Sequence, residues 1–236
     1  MSTIDFGRFD VLTFDCYGTL IDWERGILDA LQPILAWHDV EPTEDELLER
    51  FARHEAALES QEYLPYREIL ARTAEAICGG FGVAATAEDL AEFSQAVGDW
   101  PAFPDSAPAL RRLARRFRLG VITNCDDDLF ARSNRRLGVA FDWVVTAQQA
   151  RSYKPSEANF ELAFATTGVP RERIVHVAQS LFHDHVPAKR LGLATVWVDR
   201  RHSKTGSGAT PSADAEPDLT VPDMLTLANV ALPAAP

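Results

Sequence analysis

The sequence predicts an α/β fold: a doubly wound parallel sheet with an inserted α-helical cap. Three observations carry this expectation. An apolar run over residues 9–14 ends in Asp15, with Gly18 close behind, as a buried strand feeding a loop does. Residues 21–103 then carry helical periodicity. Beyond Pro104, helix-like and strand-like segments alternate, which is the pattern of a parallel sheet with helices on both faces.

The elements follow in order. Val11, Leu12 and Phe14 form the first strand, and Ile27, Leu28, Leu31, Ile34 and Leu35 recur at helical spacing after it. Thr43 with Glu46 three residues on reads as a capping box, opening a helix that carries Leu47, Leu48, Phe51 and Leu58. Leu64-Pro65 interrupts, a helical run over 69–77 ends in Cys78-Gly79-Gly80, and Thr86 opens a further helix with acidic residues in its first turn, where the helix dipole favours them. Trp100-Pro101-Ala102-Phe103-Pro104 is a stiff connector. Helices are then expected at 109–117, 129–137, 160–167 and 185–191, and strands at 119–123, 143–146, 174–178 and 195–198. The Ser-, Gly-, Ala- and Pro-rich stretch 202–217 reads as an exposed loop, least structured at 209–215. The sheet is expected to be Rossmann-like, with a core domain of residues 1–20 and 104–236 and a cap of residues 21–103.

At 236 residues with 46% apolar and 25% charged side chains, the chain can bury a core without disulfides or structural metals. The formal charge of −12, with no long basic run, argues against nucleic-acid and anionic-membrane partners. Three scattered cysteines, Cys16, Cys78 and Cys125, suggest reduced thiols and a cytoplasmic protein. No signal peptide and no membrane span are expected.

Four sites fall at strand-to-loop junctions: Asp15, Thr123-Asn124, Lys154 and Asp184. Strand ends of a parallel sheet converge on one crevice, so these groups are expected to share a pocket. A lysine between two carboxylates is stabilised there and keeps them ionised. Asp126-Asp127-Asp128 is expected to cap the helix that follows, and Ser180 to stabilise its loop.

Asp15-x-Tyr17-Gly18-Thr19, Ile122-Thr123-Asn124, Tyr153-Lys154-Pro155 and Ser180-x-x-x-Asp184 together resemble the four motifs of the haloacid dehalogenase superfamily. Its metal-dependent phosphatases usually have an aspartate two residues after the nucleophile and a second acid in the fourth motif. Here those positions are Tyr17 and Gln179. Both departures resemble the type II 2-haloacid dehalogenases, which use no cofactor and no metal. The resemblance implies that Asp15 is the nucleophile and forms an ester, that Lys154 and Thr19 orient it, and that Asp184 acts on the hydrolytic water. It implies that Thr123, Asn124 and the backbone at Cys16 and Tyr17 bind a small anionic haloacid, and that a cap arginine holds the halide, Arg53 first and Arg50 second. Tyr17, Trp23 and Tyr66 would wall the halogen. Phe160 and Leu181 stand where better-known dehalogenases have a tyrosine and an asparagine, and His183 is a polar group particular to this chain. A homodimer is in keeping with the resemblance. Competing readings are a magnesium-dependent phosphatase, a hydrolase of another electrophilic carbon such as a strained-ring amino acid, and a non-catalytic binding protein.

Overall fold

A computed structural model describes residues 4–204 and 206–232. Strand β1 (Val11–Phe14) is followed by four helices, α1 (Trp23–Ala36), α2 (Glu44–Glu59), α3 (Tyr66–Gly80) and α4 (Ala87–Ala96). Helix α5 (Ser106–Leu113) returns the chain to the sheet. There follow β2 (Arg118–Thr123), α6 (Asp127–Leu137), β3 (Trp143–Thr146), α7 (Ala147–Ala150) and α8 (Ala158–Thr167). The chain ends with β4 (Ile174–Ala178), α9 (Val186–Arg190), β5 (Ala194–Val198), β6 (Leu219–Val221) and α10 (Met224–Ala231).

The strands pair in parallel in the order β3-β2-β1-β4-β5-β6. The chain winds outward from β1 in both directions. The crevice beside the carboxyl ends of β1 and β4 is therefore where such a sheet offers a site. Successive strand residues face opposite layers. Leu12 and Phe14 pack into a large cluster that also holds Phe51, Tyr66 and Ile69 from α2 and α3, whereas Val11 joins Ile122, Phe160 and Ala163 on the other face. The sheet and the inserted helices thus share one apolar core.

Several details differ from the sequence expectation. The Thr43 hydroxyl accepts from the Glu46 amide at 3.2 Å, but the Glu46 carboxylate turns to Arg50, so the capping box closes only by half there. The complete box is at Thr86 and Asp89. Helix α5 stops at Leu113, and a π-helical turn, Leu181–His185, precedes α9. Strand β6 and helix α10 carry no sequence signal that the periodicity argument found. The stretch 202–217 is not uniformly exposed: Ala209 and Thr210 are buried. The Ala209 amide donates to the Glu24 carboxylate at 3.3 Å, and Arg201 pairs with the same group. Asp126 does not cap its own helix. Its carboxylate accepts from the Tyr66 and Arg67 amides at 2.9 and 3.2 Å, capping α3 and tying the inserted helices to the sheet edge.

Candidate active site

Asp15 leaves the carboxyl end of β1 with its amide donating to Val177 of β4 at 3.1 Å. The chain then reverses through Gly18 at φ +92°, a conformation that glycine adopts without strain. A Cβ at Gly18 would come within 3.0 Å of both Gln179 Oε1 and Trp23 Nε1. The reversal brings the Thr19 hydroxyl back to donate to Asp15 Oδ2 at 2.7 Å. The Gln179 amide donates to the same hydroxyl oxygen at 2.9 Å, which leaves the Thr19 proton aimed at the carboxylate.

Lys154 is 1% exposed. Its Nζ donates to Asp15 Oδ1 at 2.9 Å, to Asp184 Oδ1 at 2.7 Å and to the Ile122 carbonyl at 2.9 Å. An ammonium has three N–H donors, and all three are used. Asn124 fixes the lysine's backbone from both sides: Nδ2 donates to its carbonyl at 3.0 Å and Oδ1 accepts from its amide at 2.8 Å. Asp184 Oδ1 also accepts from His176 Nε2 at 2.9 Å, and His176 Nδ1 meets the Thr13 hydroxyl at 2.9 Å. Phe160 packs edge-on against the His176 ring, 5.1 Å between centroids. The aromatic at this position therefore orients the histidine by packing rather than by a hydrogen bond.

The inserted helices close the site from above. Asp15, Tyr17, Trp23, Glu55, Glu59, Tyr66, Asn124, Lys154, Ser180, His183 and Asp184 enclose a chamber of about 30 Å³, room for one or two waters. A neighbouring groove of about 360 Å³ shares Glu59, Lys154 and His183 with it. Glu55 accepts from the Tyr66 hydroxyl at 2.6 Å. The Glu59 carboxylate accepts from Asn124 Nδ2 at 3.2 and 3.3 Å.

The structure thus brings together Asp15, Thr19, Tyr17, Asn124, Lys154 and Asp184. Thr123 and Cys16 are fully buried and do not line the chamber. The Tyr17 hydroxyl is turned away to Ser133 at 2.9 Å. Arg53 is corrected: it lies exposed on α2. Arg50, the second choice, pairs with Glu46 and stacks on Phe81, 4.1 Å from the ring centroid. The helix turns two acidic residues, Glu55 and Glu59, to the chamber instead. Leu181 lines a groove beside Trp197, outside the chamber. Sequence reasoning missed His176, Glu55 and Glu59, although each left a signal. His176 interrupts an apolar strand. Glu55 falls four residues after Phe51 in the apolar stripe of α2, and Glu59 one turn later.

The two carboxylates that share Lys154 differ in basicity. Burial pushes Asp15 up against the opposing pull of Lys154 and Thr19. Burial acts on Asp184 too, but Lys154 and His176 outweigh it and hold Asp184 well below the usual range. The environments separate the pair into a more basic group and a more acidic one, as acid–base sites do. Burial lowers His183 to about 4, so it is neutral at neutral pH. The Cys16 thiol is raised by burial and by Asp15 beside it, which removes it as a nucleophile.

Burial also pushes Glu55 up to about 8 from 4.5. The native state therefore binds this proton more tightly than the unfolded chain. The resulting stabilisation is complete below about pH 4.5 and is lost as pH rises through about 8. Urea unfolding between about pH 5 and pH 8 is expected to show stability falling by up to about 1.4 kcal/mol per pH unit from this group. Glu55→Gln is expected to remove that part of the slope, and an unchanged slope would contradict the assignment.

A family model described as haloacid dehalogenase-like hydrolase matches residues 9–182. An (S)-2-haloacid dehalogenase of Pseudomonas putida is 26% identical over 232 residues, covering 92% of this chain and 94% of that protein. A phosphoserine phosphatase of Thermus thermophilus is 30% identical over 165 residues, covering 68% and 63%. The structure of the L-2-haloacid dehalogenase from Xanthobacter autotrophicus superposes with a TM-score of 0.79 at 20% identity, over 96% of this chain and all of that one, 100%. No helix among the described residues is long and apolar enough to cross a membrane. With its sheet order, its Asp15–Lys154–Asp184 centre and a family match spanning most of its length, the chain belongs to the haloacid dehalogenase-like hydrolases.

Proposed function

We propose that the protein hydrolyses small 2-haloalkanoic acids to 2-hydroxy acids through an ester on Asp15, without a metal. One observation carries the reading. Asp15 is held by Lys154 and Thr19 at the chamber edge, with a tyrosine where a phosphatase would place its acid. In the first step an Asp15 oxygen attacks the carbon bearing the halogen. The new C–O bond forms as the C–X bond breaks, and the halide leaves with the bonding pair. In the second step water adds to the Asp15 carbonyl carbon. Asp184 Oδ2 has no hydrogen-bond partner among the described residues and accepts the water's proton. The product alkoxide leaves as the 2-hydroxy acid on taking up a proton, and one proton is released with the halide. Two features support metal independence: the Tyr17 hydroxyl is engaged by Ser133, and Asp184 Oδ1 is engaged by Lys154 and His176.

Free halide is expected from chloroacetate, bromoacetate, fluoroacetate or (S)-2-chloropropionate, at a rate unaffected by EDTA. No halide from any of the four would sink the proposal. Magnesium-dependent, EDTA-sensitive turnover of p-nitrophenyl phosphate would replace it with the phosphatase reading. A second reading, attack by the same Asp15 ester route on a carbon with another leaving group, has one observation in its favour. Among the described residues the chamber presents no arginine, and its cap side carries Glu55 and Glu59.

A further inference from the structure

The chamber's polar inventory is poorly suited to a purely anionic ligand. Four carboxyl groups line it, from Asp15, Glu55, Glu59 and Asp184, against a single ammonium, Lys154. That ammonium has spent its three donors on Asp15, Asp184 and the Ile122 carbonyl. Glu55 and Glu59 stand one turn apart on α2. Glu55 is 2% exposed and the Glu59 side chain 4%. Among the described residues neither has a lysine or arginine within ion-pair distance. Burying two carboxyl groups so close together without a cation is costly, and burial and mutual proximity raise Glu59 well above the usual carboxylate range.

An independent observation points to what belongs there. His183 Nε2 and Asp184 Oδ2 are both buried and without a hydrogen-bond partner among the described residues, and both residues line the chamber. Orphaned buried polar atoms of this kind call for a ligand or an ordered water. His183 Nδ1 lies 3.2 Å from Ser180 Oγ. That oxygen already accepts from the His183 amide at 2.9 Å, and the neutral ring has two forms: Nε2 carries the proton when the Ser180 hydroxyl donates to Nδ1, and Nε2 is an acceptor when Nδ1 donates to Ser180. Nε2 stands 3.7 Å from Glu59 Oε2, too far for a hydrogen bond and close enough for one nitrogen to bridge. Asp184 Oδ2 is an unpartnered acceptor among the described residues, and the Glu59 carboxylate, which accepts from Asn124 Nδ2, keeps lone pairs open to the chamber. An ammonium, with several N–H bonds and a positive charge, ionises Glu59, meets Asp184 Oδ2 and draws His183 into the form whose Nε2 accepts.

We propose that Glu59, His183 and Asp184 Oδ2, with Glu55 behind them, form a recognition site for a substrate ammonium group. The preferred substrate is then a small carboxylic acid that bears an amine, open-chain or cyclic, next to the carbon under attack. The assignment of that carbon rests on the Asp15 ester reading; the ammonium site does not. Such a substrate supplies the missing cation and lets both glutamates ionise.

The test is calorimetric binding of two probes of matched shape to the full-length wild-type protein. L-Alanine carries the ammonium, and isobutyrate replaces it with a methyl group. L-Alanine is expected to bind about tenfold or more tightly than isobutyrate, the worth of a hydrogen bond to a charged group. Glu59→Gln and, separately, His183→Phe are expected to bring the ratio close to unity. Isobutyrate binding as tightly as L-alanine overturns the proposal, as does binding of neither probe or a ratio unchanged in the folded variants. The wild-type ratio decides even where a variant does not fold. The measurement needs no turnover. Incorporation of ¹⁸O from labelled water into Asp15 during hydrolysis of any substrate tests the ester route separately, so failure of one leaves the other standing.

Discussion

Asp15→Asn is expected to lower turnover by about ten-thousand-fold or more, the scale of losing a covalent nucleophile. The amide cannot attack carbon, and its NH2 group would face a donor, either Lys154 Nζ or the Thr19 hydroxyl. The fold is expected to survive, because Lys154 keeps Asp184 and the Ile122 carbonyl as partners. The informative control is Cys16→Ala. Cys16 adjoins Asp15, is fully buried, and does not line the chamber. Its removal deletes one sulfur from the core and no chemistry, so turnover is expected to stay within about tenfold of wild type. Steady-state hydrolysis of a substrate identified by halide release measures both. Equal losses in the two variants would point to packing around residues 15–16, and retention of turnover in Asp15→Asn would remove the ester route altogether.

The sheet side of the candidate site was legible in the sequence because each of its members follows a strand. Asp15 and Asn124 come directly after β1 and β2, Lys154 and Asp184 stand in the segments beyond β3 and β4, and the convergence of parallel strand ends brings the four together. The opposite wall was less legible. Which face of α2 meets the sheet depends on how the helix rotates, and Arg53, the arginine expected to hold the halide, stands on its solvent side. The apolar stripe through Leu48, Phe51 and Ala52 sets the rotation and carries Glu55 and Glu59 inward, because residues four apart share a face. The Asp126 cap on α3 was beyond sequence reasoning for a different reason. An aspartate ahead of a helix normally serves that helix, and only the tertiary approach of Tyr66 offers it another set of amides.

Lys154→Met is expected to destabilise the protein by about 3–5 kcal/mol near neutral pH, the cost of removing one partner from a buried ion cluster. The side chain keeps its length and apolar stem, so the loss is electrostatic. Asp15 and Asp184 remain buried within the chamber and lose the cation that offsets their desolvation. Among the described residues Asp184 retains His176, but the Asp15 carboxylate retains only Thr19. The effect should reverse with pH. In the wild type, Asp184 sits below its unfolded value, so its contribution is present above about pH 4 and disappears as pH falls. Without Lys154, burial dominates: the folded pKa of Asp184 rises above its unfolded value, and that of Asp15, already raised, rises further. Their contribution is then largest in acid and is lost as pH climbs through those raised values. Urea unfolding of wild type and variant at about pH 5 and pH 8 should show the gap narrowing in acid. A gap that is constant across that range, or one below about 1 kcal/mol at pH 8, would mean that Asp15 and Asp184 do not depend on Lys154 for their charge. The nucleophile would then need another source of ionisation.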